Sequence, residues 1–142
     1  VVFDPSASGT LIPPQFFREF ELPLLEDIFT TFRRAGAVAN WLHITGMTQP
    51  IIQYYPQFGA TIVNLDYCID LTKAQETLPG ICINGNIKPL FFAQDTPQTI
   101  VSESEALLEL FKNRGGFILS PGCEVPIESK PKNITALVSV VR

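Results

Sequence analysis

The sequence has few charged residues and no long hydrophobic run. Charged residues make up 17% of its 142 positions, against roughly 25% in typical soluble domains, and the formal net charge is −4. Because a nucleic-acid surface needs a basic patch, this balance argues against nucleic-acid binding. A membrane span needs about 18 consecutive apolar residues, and no stretch approaches that length. The hydrophobic content of 46% excludes disorder and indicates strands buried on both faces, or a piece of a larger fold.

Cysteine and histidine are also scarce. The three cysteines, Cys68, Cys82 and Cys123, do not make an even-numbered set, and no CxxC pair occurs, so a disulfide framework is not expected. The first residues, 1–5 (VVFDP), lack the basic start of a signal peptide. We therefore expect free thiols in a reducing, cytoplasmic compartment.

Short apolar runs alternate with amphipathic segments along the chain, as in βα units. The pattern predicts strands at residues 1–3, 38–43, 61–66, 81–86 and 117–120, and helices at 14–34, between Gly46 and about Phe58, at 71–78, at 97–114 and at 132–141. Thr96 and Pro97 mark the most specific helix start, because an N-cap residue precedes a proline at the first helical position. Pro23 is expected to kink or break the first helix. No repeat or linker interrupts the pattern, so residues 1–142 are expected to form one unit.

Strict alternation predicts an α/β fold with a parallel sheet, either doubly wound or part of a (β/α)8 TIM barrel. No GxGxxG or GxxxxGK[ST] motif occurs, which removes the commonest doubly wound nucleotide-binding folds. Polar residues gather instead at the carboxyl ends of predicted strands, where a barrel assembles its site: Asp4, His43, Asp66, Asn84, Asn86 and Cys123. A barrel has eight strands and roughly 250 residues, so five units would form only part of one.

His43 and Cys123 are the side chains best suited to bind a metal. His43 is the only histidine, and Cys123 follows the last predicted strand. Zinc accepts imidazole nitrogen and thiolate sulfur, so a histidine and a cysteine at one end of a barrel can share an ion. The alternatives are a hydrogen-bonded histidine at a strand end and a buried free cysteine, and two ligands alone do not hold a metal.

Motifs over nearly the whole chain resemble, in order, the uroporphyrinogen decarboxylase superfamily and, within it, the cobalamin-dependent methyltransferases. The matching segments are 4–9 (DPSASG), 16–23, His43 with Gly46, 65–71, 85–89, 115–123 (GGFILSPGC), and Asn133 with Ile134. The resemblance implies a (β/α)8 TIM barrel of the uroporphyrinogen decarboxylase type. This chain would supply its C-terminal five βα units.

The motif after the last strand separates the branches of this superfamily. In decarboxylases, the motif after the last strand is similar to Leu-Gly-His-Gly. This chain resembles the methyltransferases instead, with Pro-Gly-Cys-Glu at 121–124. The methyltransferases also carry His-x-Cys-Gly at the position of His43, and they bind zinc through that histidine, that cysteine and the late cysteine. The resemblance therefore implies His43 and Cys123 as zinc ligands, while Thr45 stands where the family has the other cysteine.

The missing ligand leaves alternatives open. Glu124, Asp66 or Cys68 can complete the coordination, since carboxylates serve in catalytic zinc sites, or the protein keeps the fold and binds no zinc. With zinc, the resemblance implies that an acceptor thiol is activated as thiolate and attacks the methyl group of methylcobalamin on a partner corrinoid protein. The acceptor would be a small thiol such as coenzyme M.

Other polar residues of the strand ends have candidate roles in this chemistry. Asp4 and Ser6 are candidates to orient the acceptor or the corrinoid, with loop capping as the alternative. Asp66 is a third candidate catalytic residue. Asn84 and Asn86 are candidate cofactor-binding residues, with hydrogen bonding to loops as the alternative.

The predicted function is methyl transfer from a methylated corrinoid to a thiol, assisted by zinc. One alternative is uroporphyrinogen decarboxylation, and another is a degenerate, non-catalytic protein that binds a corrinoid or a partner. Five units of a barrel leave two open sheet edges. We therefore expect the isolated chain to form a homo-oligomer.

Overall fold

Five parallel strands form one sheet whose spatial order follows the chain, β1-β2-β3-β4-β5. The strands are β1 (Val2–Phe3), β2 (Trp41–His43), β3 (Ile62–Asn64), β4 (Cys82–Ile87) and β5 (Phe117–Pro121). A doubly wound sheet reverses its strand order at a switch point, and this sheet has no such reversal. The computed structural model, which describes residues 1–141, therefore has the strand order of a barrel segment.

Helical segments connect the strands. Between β1 and β2 lie α1 (Pro14–Phe16), a π-helical turn (Phe17–Glu21) and α2 (Leu22–Arg34); later come α3 (Leu71–Thr77), α4 (Pro89–Gln94), α5 (Pro97–Phe111) and α6 (Pro131–Ser139). Thr96 caps α5 as predicted, because its hydroxyl accepts the N–H of Thr99. Within residues 1–141, no helix has the length and apolar character needed to cross a membrane.

The irregularity expected near Pro23 takes the form of a wider turn. The N–H of Leu22 bonds to the carbonyl of Phe17, five residues back. Proline has no N–H, and its ring crowds the carbonyl four residues earlier. A π-turn directly before Pro23 accommodates both effects, and the helix continues to Arg34.

The second predicted strand is shorter than expected, because β2 begins only at Trp41. Val38 is fully exposed. Asn40 holds the preceding segment in a loop: its N–H bonds to Thr61 Oγ1 at 2.8 Å and its side-chain amide to the carbonyl of Gly59 at 3.1 Å. These contacts replace the sheet hydrogen bonds that a longer strand would make.

The predicted helix between Gly46 and Phe58 is wrong, because the segment contains only the 3-10 turn Ile52–Tyr54. Pro50 and Pro56 flank this turn and remove N–H donors at both of its ends. Conversely, α4 is a helix that the sequence pattern does not predict. Its six residues are too few to show a helical period.

The main core lies between the sheet and the helices. Phe17, Phe29, Tyr55 and Phe58 are at most 1% exposed, and their ring centroids are 5.5–6.4 Å apart. Aromatic side chains bury large apolar areas in such arrangements. This packing fixes the helices behind the sheet, while polar side chains collect at the carboxyl ends of the strands.

Candidate ligand and metal site at the carboxyl ends of the strands

The structure brings His43 and Cys123 together. His43 is the last residue of β2, and Cys123 follows β5. The Sγ atom of Cys123 is 3.7 Å from Nε2 of His43. Both side chains line a cavity of about 160 Å³ that also contacts the rings of Phe3 and Trp41.

His43 is buried and held among polar and aromatic neighbours. Its side chain is 7% exposed, and the ring of Phe3 packs against it edge-on, with centroids 5.4 Å apart. Burial lowers the pKa of His43 below its ordinary value, and this exceeds the raising effects of the Asn64 side chain and the charges of Asp66 and Glu124. The imidazole is therefore neutral at pH 7, which is the form that binds metals.

Cys123 is half-buried as a protonated thiol. Burial raises its pKa above the ordinary value, and the negative charges of Asp66 and Glu124 raise it further. A hydrogen bond from the N–H of Glu124 acts in the opposite direction. The free thiol is thus weakly nucleophilic, and a bound cation would be needed to ionise it.

The spacing of the pair suits one zinc ion. Zinc bonds of about 2.3 Å to sulfur and about 2.0–2.1 Å to nitrogen, set at a tetrahedral angle, separate the two donors by about 3.6 Å. The observed 3.7 Å between Cys123 Sγ and His43 Nε2 agrees with that value. The donor set is incomplete, since within residues 1–141 no three His, Cys, Asp or Glu side chains group closely enough to hold a metal.

Thr45 and Glu124 line an adjoining pocket of about 260 Å³ that shares His43 and Cys123 with the first cavity. The other candidate third ligands are exposed or already hydrogen-bonded. Cys68 is exposed. The carboxylate of Asp66 accepts two backbone N–H groups, from Gly46 and Tyr67, both at 2.7 Å. Asp66 therefore ties the loop after β2 to the loop after β3.

Asp4 and Ser6 form the capped turn that was the alternative to a catalytic role. Asp4 Oδ1 accepts the N–H groups of Ser6 and Ala7 at 3.0 and 3.1 Å and the Ser6 hydroxyl at 2.7 Å. This stabilises the 3-10 turn Pro5–Ala7. Because Pro5 lines the cavity beside Cys123, the capped turn forms part of the cavity mouth.

The two asparagines of β4 differ in position. Asn84 lines the cavity and is 3% exposed. Asn86 instead donates from its side chain to the carbonyls of Asp66 and Ile69, at 3.1 and 3.0 Å. Asn86 thus supports a loop, as in the alternative, and only Asn84 is in contact with the candidate site.

Two polar residues that line the cavity, Asn64 and Ser120, were not among the predicted site residues. Asn64 closes β3 as His43 closes β2, and the two are register partners. A search for polar residues at the last position of each predicted strand would not have found Asn64, because the predicted strand 61–66 extends past the end of β3. Ser120 does give this signal, because it ends the predicted strand 117–120, although β5 continues to Pro121.

Gly122 allows the Cys123 loop to approach the loop after β3. A Cβ at this position would lie 2.6 Å from the Tyr67 nitrogen and 3.0 Å from the Asp66 carbonyl carbon. Both are backbone atoms, so they cannot move aside as a flexible side chain would. Only glycine therefore places Cys123 beside His43 with this loop packing.

Comparison with known proteins gives a consistent family and fold. A family model described as uroporphyrinogen decarboxylase (URO-D) matches residues 1–142. The methylcobamide:CoM methyltransferase MtbA of Methanosarcina acetivorans is 25% identical over 142 residues, covering 99% of this chain and 40% of that protein. A uroporphyrinogen decarboxylase of Paraburkholderia phytofirmans is 34% identical over 137 residues, covering 94% of this chain and 37% of that protein.

A solved structure of a methyltransferase from Methanosarcina mazei matches with a TM-score of 0.84 at 25% identity, covering 98% of this chain and 40% of that chain. The predicted fold, five βα units of a TIM barrel of this type, is confirmed. This chain spans about 40% of the length of these methyltransferase relatives.

Proposed function

The chain belongs to the uroporphyrinogen decarboxylase family, and on that basis we propose that it is part of an enzyme that transfers a methyl group from a methylated corrinoid to a thiol. The relatives carry both methyltransferase and decarboxylase names, so the choice depends on the site. The observation that carries the proposal is the 3.7 Å distance between Cys123 Sγ and His43 Nε2. Decarboxylation needs no metal, whereas a histidine–cysteine pair in chelating position suits zinc-assisted thiol methylation.

His43 and Cys123 would hold zinc, with Glu124 as the third protein ligand. The imidazole is already neutral, and Cys123 releases its proton when a metal binds. Glu124 is exposed and lines the same cavity, so its carboxylate is free to rotate toward the pair. Zinc bound there would supply Lewis acidity that lowers the pKa of an acceptor thiol.

The cavity would bind the acceptor and exclude water around the reacting sulfur. Phe3 and Trp41 provide apolar walls, and the capped turn Pro5–Ala7 would orient the acceptor or the corrinoid at the mouth. A methylated corrinoid would supply an electrophilic methyl group: its transfer would form a sulfur–carbon bond and leave the electron pair of the cobalt–carbon bond on the corrinoid. A partner corrinoid protein carrying methylcobalamin would present the methyl group, and the acceptor would be a small thiol such as coenzyme M.

Zinc analysis of the purified chain tests the metal site directly. We expect about one zinc per chain, lost in His43→Ala and in Cys123→Ser. Cys82→Ser is the matched control, because Cys82 is also half-buried but lies at the opposite end of the sheet. Retention of zinc in Cys123→Ser, or absence of zinc from the unmodified chain, would contradict the proposal.

Thr45→Cys offers a gain-of-function test. Thr45 lines the cavity next to His43 and Cys123, and a thiolate binds zinc more strongly than a hydroxyl. We therefore expect tighter zinc binding by competition with a chelator. An unchanged affinity would mean that position 45 does not face the metal.

Uroporphyrinogen decarboxylation is a second candidate, favoured by relatives that bear this name at up to 34% identity. Turnover of uroporphyrinogen by the full-length protein, unaffected by zinc removal, would support it. The residue at position 123 argues against it, because this chain has Cys123 where the decarboxylase motif has a histidine.

A non-catalytic family member is a third candidate, favoured by Thr45 and by the lack of a three-donor group within residues 1–141. Spectroscopic titration with methylcobalamin separates the cases. Binding without demethylation when thiol is added supports the non-catalytic protein, and thiol-dependent demethylation supports the enzyme.

We also propose that the isolated chain associates with itself. An apolar stripe of residues spaced by four is exposed along the first helices: Phe16, Phe20, Leu24 and Ile28, each 38–58% exposed. Exposed apolar surface of this kind favours association. Size-exclusion chromatography with light scattering is expected to give a dimer or larger, and a monomer would contradict this.

A further inference from the structure

A row of side chains crosses four neighbouring strands beside the candidate site. His43, Asn64 and Asn84 are register partners on β2, β3 and β4. Register partners of parallel strands lie side by side on the same face of a sheet. The row continues to β5, because the Asn84 amide donates to the hydroxyl of Ser120 at 2.7 Å.

Every donor in this row points toward β5. Asn64 Nδ2 donates to Asn84 Oδ1 at 2.7 Å, and Asn84 Nδ2 donates to Ser120 Oγ. The Ser120 hydroxyl in turn donates to the carbonyl of Pro121 at 2.9 Å. An acceptor is therefore left at the β2 end of the row, the Oδ1 atom of Asn64.

Main-chain carbonyls fix the orientation of both amides. Asn84 Nδ2 also faces the carbonyl of Ile118 at 3.2 Å, and Asn64 Nδ2 faces the carbonyls of Asn84 and Pro121, both at 3.3 Å. A carbonyl can only accept a hydrogen bond, so exchanging nitrogen and oxygen in either amide would set oxygen against oxygen. The direction of the row is thus determined by the backbone of β4 and β5.

Asn64 Oδ1 is buried and accepts no hydrogen bond, on a side chain that is 8% exposed. Buried carbonyl oxygens without a donor are rare in native proteins. The next side chain in the row is His43, which is the register partner of Asn64 and lines the same cavity. Because Nε2 of His43 lies 3.7 Å from Cys123 Sγ, Nδ1 is the ring nitrogen left to meet the Asn64 acceptor.

We propose that Asn64, oriented by Asn84, is a positioning residue that accepts the proton of His43 Nδ1 and thereby leaves the Nε2 lone pair facing Cys123. A neutral imidazole carries one N–H and one lone pair, so fixing the proton on Nδ1 fixes the acceptor at Nε2. The inference deepens the proposed function, because only an unprotonated Nε2 can bind a metal together with the Cys123 thiolate. It does not require that methyl transfer be the reaction.

The single histidine makes the tautomer directly measurable. In ¹⁵N-labelled, metal-free protein at about pH 8, long-range ¹H–¹⁵N correlation shows one pair of imidazole nitrogens, those of His43. We expect the shift of a protonated nitrogen at Nδ1 and of an unprotonated nitrogen at Nε2. A dominant Nε2–H tautomer, or a mixture of both, in the unmodified chain would overturn the proposal.

Asn64→Leu removes the acceptor, and we expect the two nitrogen shifts to move toward each other as both tautomers become populated. Zinc affinity should fall about 10- to 100-fold, as when a partner of a metal-binding histidine is lost. Ser120→Ala is the control, since the Ile118 carbonyl still orients Asn84, and it should keep the Nδ1–H tautomer. Retention of that tautomer in Asn64→Leu, or an equal change in both variants, would overturn the assignment to Asn64.

The two proposals fail separately. The tautomer is measured without metal, corrinoid or thiol, so an inactive methyltransferase leaves it unchanged. Conversely, the protein could transfer methyl groups while His43 of the metal-free form carries its proton on Nε2. That result would remove the role of Asn64 and keep the proposed function.

Discussion

The two ends of the sheet each hold a half-buried cysteine, and their surroundings are opposite. At the carboxyl end, Cys123 faces the lone imidazole and an amide row, near two carboxylates. At the amino end, Cys82 lies in a pocket with Arg114. Burial raises the pKa of both thiols, and only at Cys82 does a cation, the Arg114 guanidinium, partly offset it.

The difference shows that thiol acidity does not locate the candidate site. Arg114 is committed to structure: its guanidinium donates to the carbonyls of Leu78 and Ile81 at 2.6 and 3.1 Å and contacts those of Gly115 and Gly116 at 3.4 Å. It closes the turns that enter β4 and β5. Barrels follow the same division, with chemistry at the carboxyl ends of strands and stability at the amino ends.

The largest effect is expected from Gly122→Ala at the carboxyl end. The new Cβ would meet the backbone of Asp66 and Tyr67, so the loops after β3 and β5 must separate. We expect a loss of about 3 kcal/mol in unfolding free energy, the upper end for overpacking, together with loss of zinc binding. Urea unfolding and zinc analysis measure the two effects.

Gly80→Ala at the amino end is the control for this prediction. Nothing lies within 4 Å of its added Cβ, and only its φ of +78° is unfavourable. We expect about 1 kcal/mol of destabilisation and normal zinc binding. Equal effects of both substitutions on zinc would remove the distinction between the two ends.

Arg114→Leu should destabilise the protein and leave the candidate site unchanged. Hydrogen bonds from a charged group contribute about 1.5–3 kcal/mol each in favourable cases, and we expect a net loss of about 2 kcal/mol in urea unfolding. The imidazole signals of His43 should keep their positions. Lys112→Ala is the control, because its exposed ion pair with Glu109 should contribute less than about 0.5 kcal/mol.

The smallest effect concerns alkylation of the two thiols. Because burial raises both pKa values above the ordinary 9.0, both should react slowly with iodoacetamide at pH 7 and faster as the pH rises. Zinc should slow the reaction of Cys123 and leave that of Cys82 unchanged. Mass spectrometry of the modified peptides gives both rates, and protection of Cys82 by zinc would contradict this.

Local patterns in the sequence predicted the strands and most helices because their signals lie within a few residues. The cap at Thr96 and the proline after it are one such signal. Helix α4 has no such local signal, and two carbonyls of its last turn, those of Phe91 and Phe92, accept hydrogen bonds from Asn133, about forty residues away. The wrong helix before Phe58 has a different cause, because Pro50 and Pro56 are local signals that the alternation of strands and helices outweighed.

For the candidate site, the sequence identified His43 and Cys123 as partners, and the structure places them together. It could not identify which polar strand ends face the cavity. Asp66 follows β3 and Asn86 lies near the end of β4, yet their side chains bind loop backbone. Asn64 gave no motif, and its importance appears only when its register with His43 is known.

By itself, then, the sequence determined the alternation of strands and helices, the class of fold and the residue types available at the carboxyl ends of the strands. Those properties depend on side-chain periodicity and capping over short distances. Tertiary structure alone decided that residues 80 positions apart lie 3.7 Å from each other and that a hydrogen-bonded pair of amides lies in register with the imidazole. Such contacts depend on the register of four strands at once, and a shift of one residue would turn each side chain to the other face.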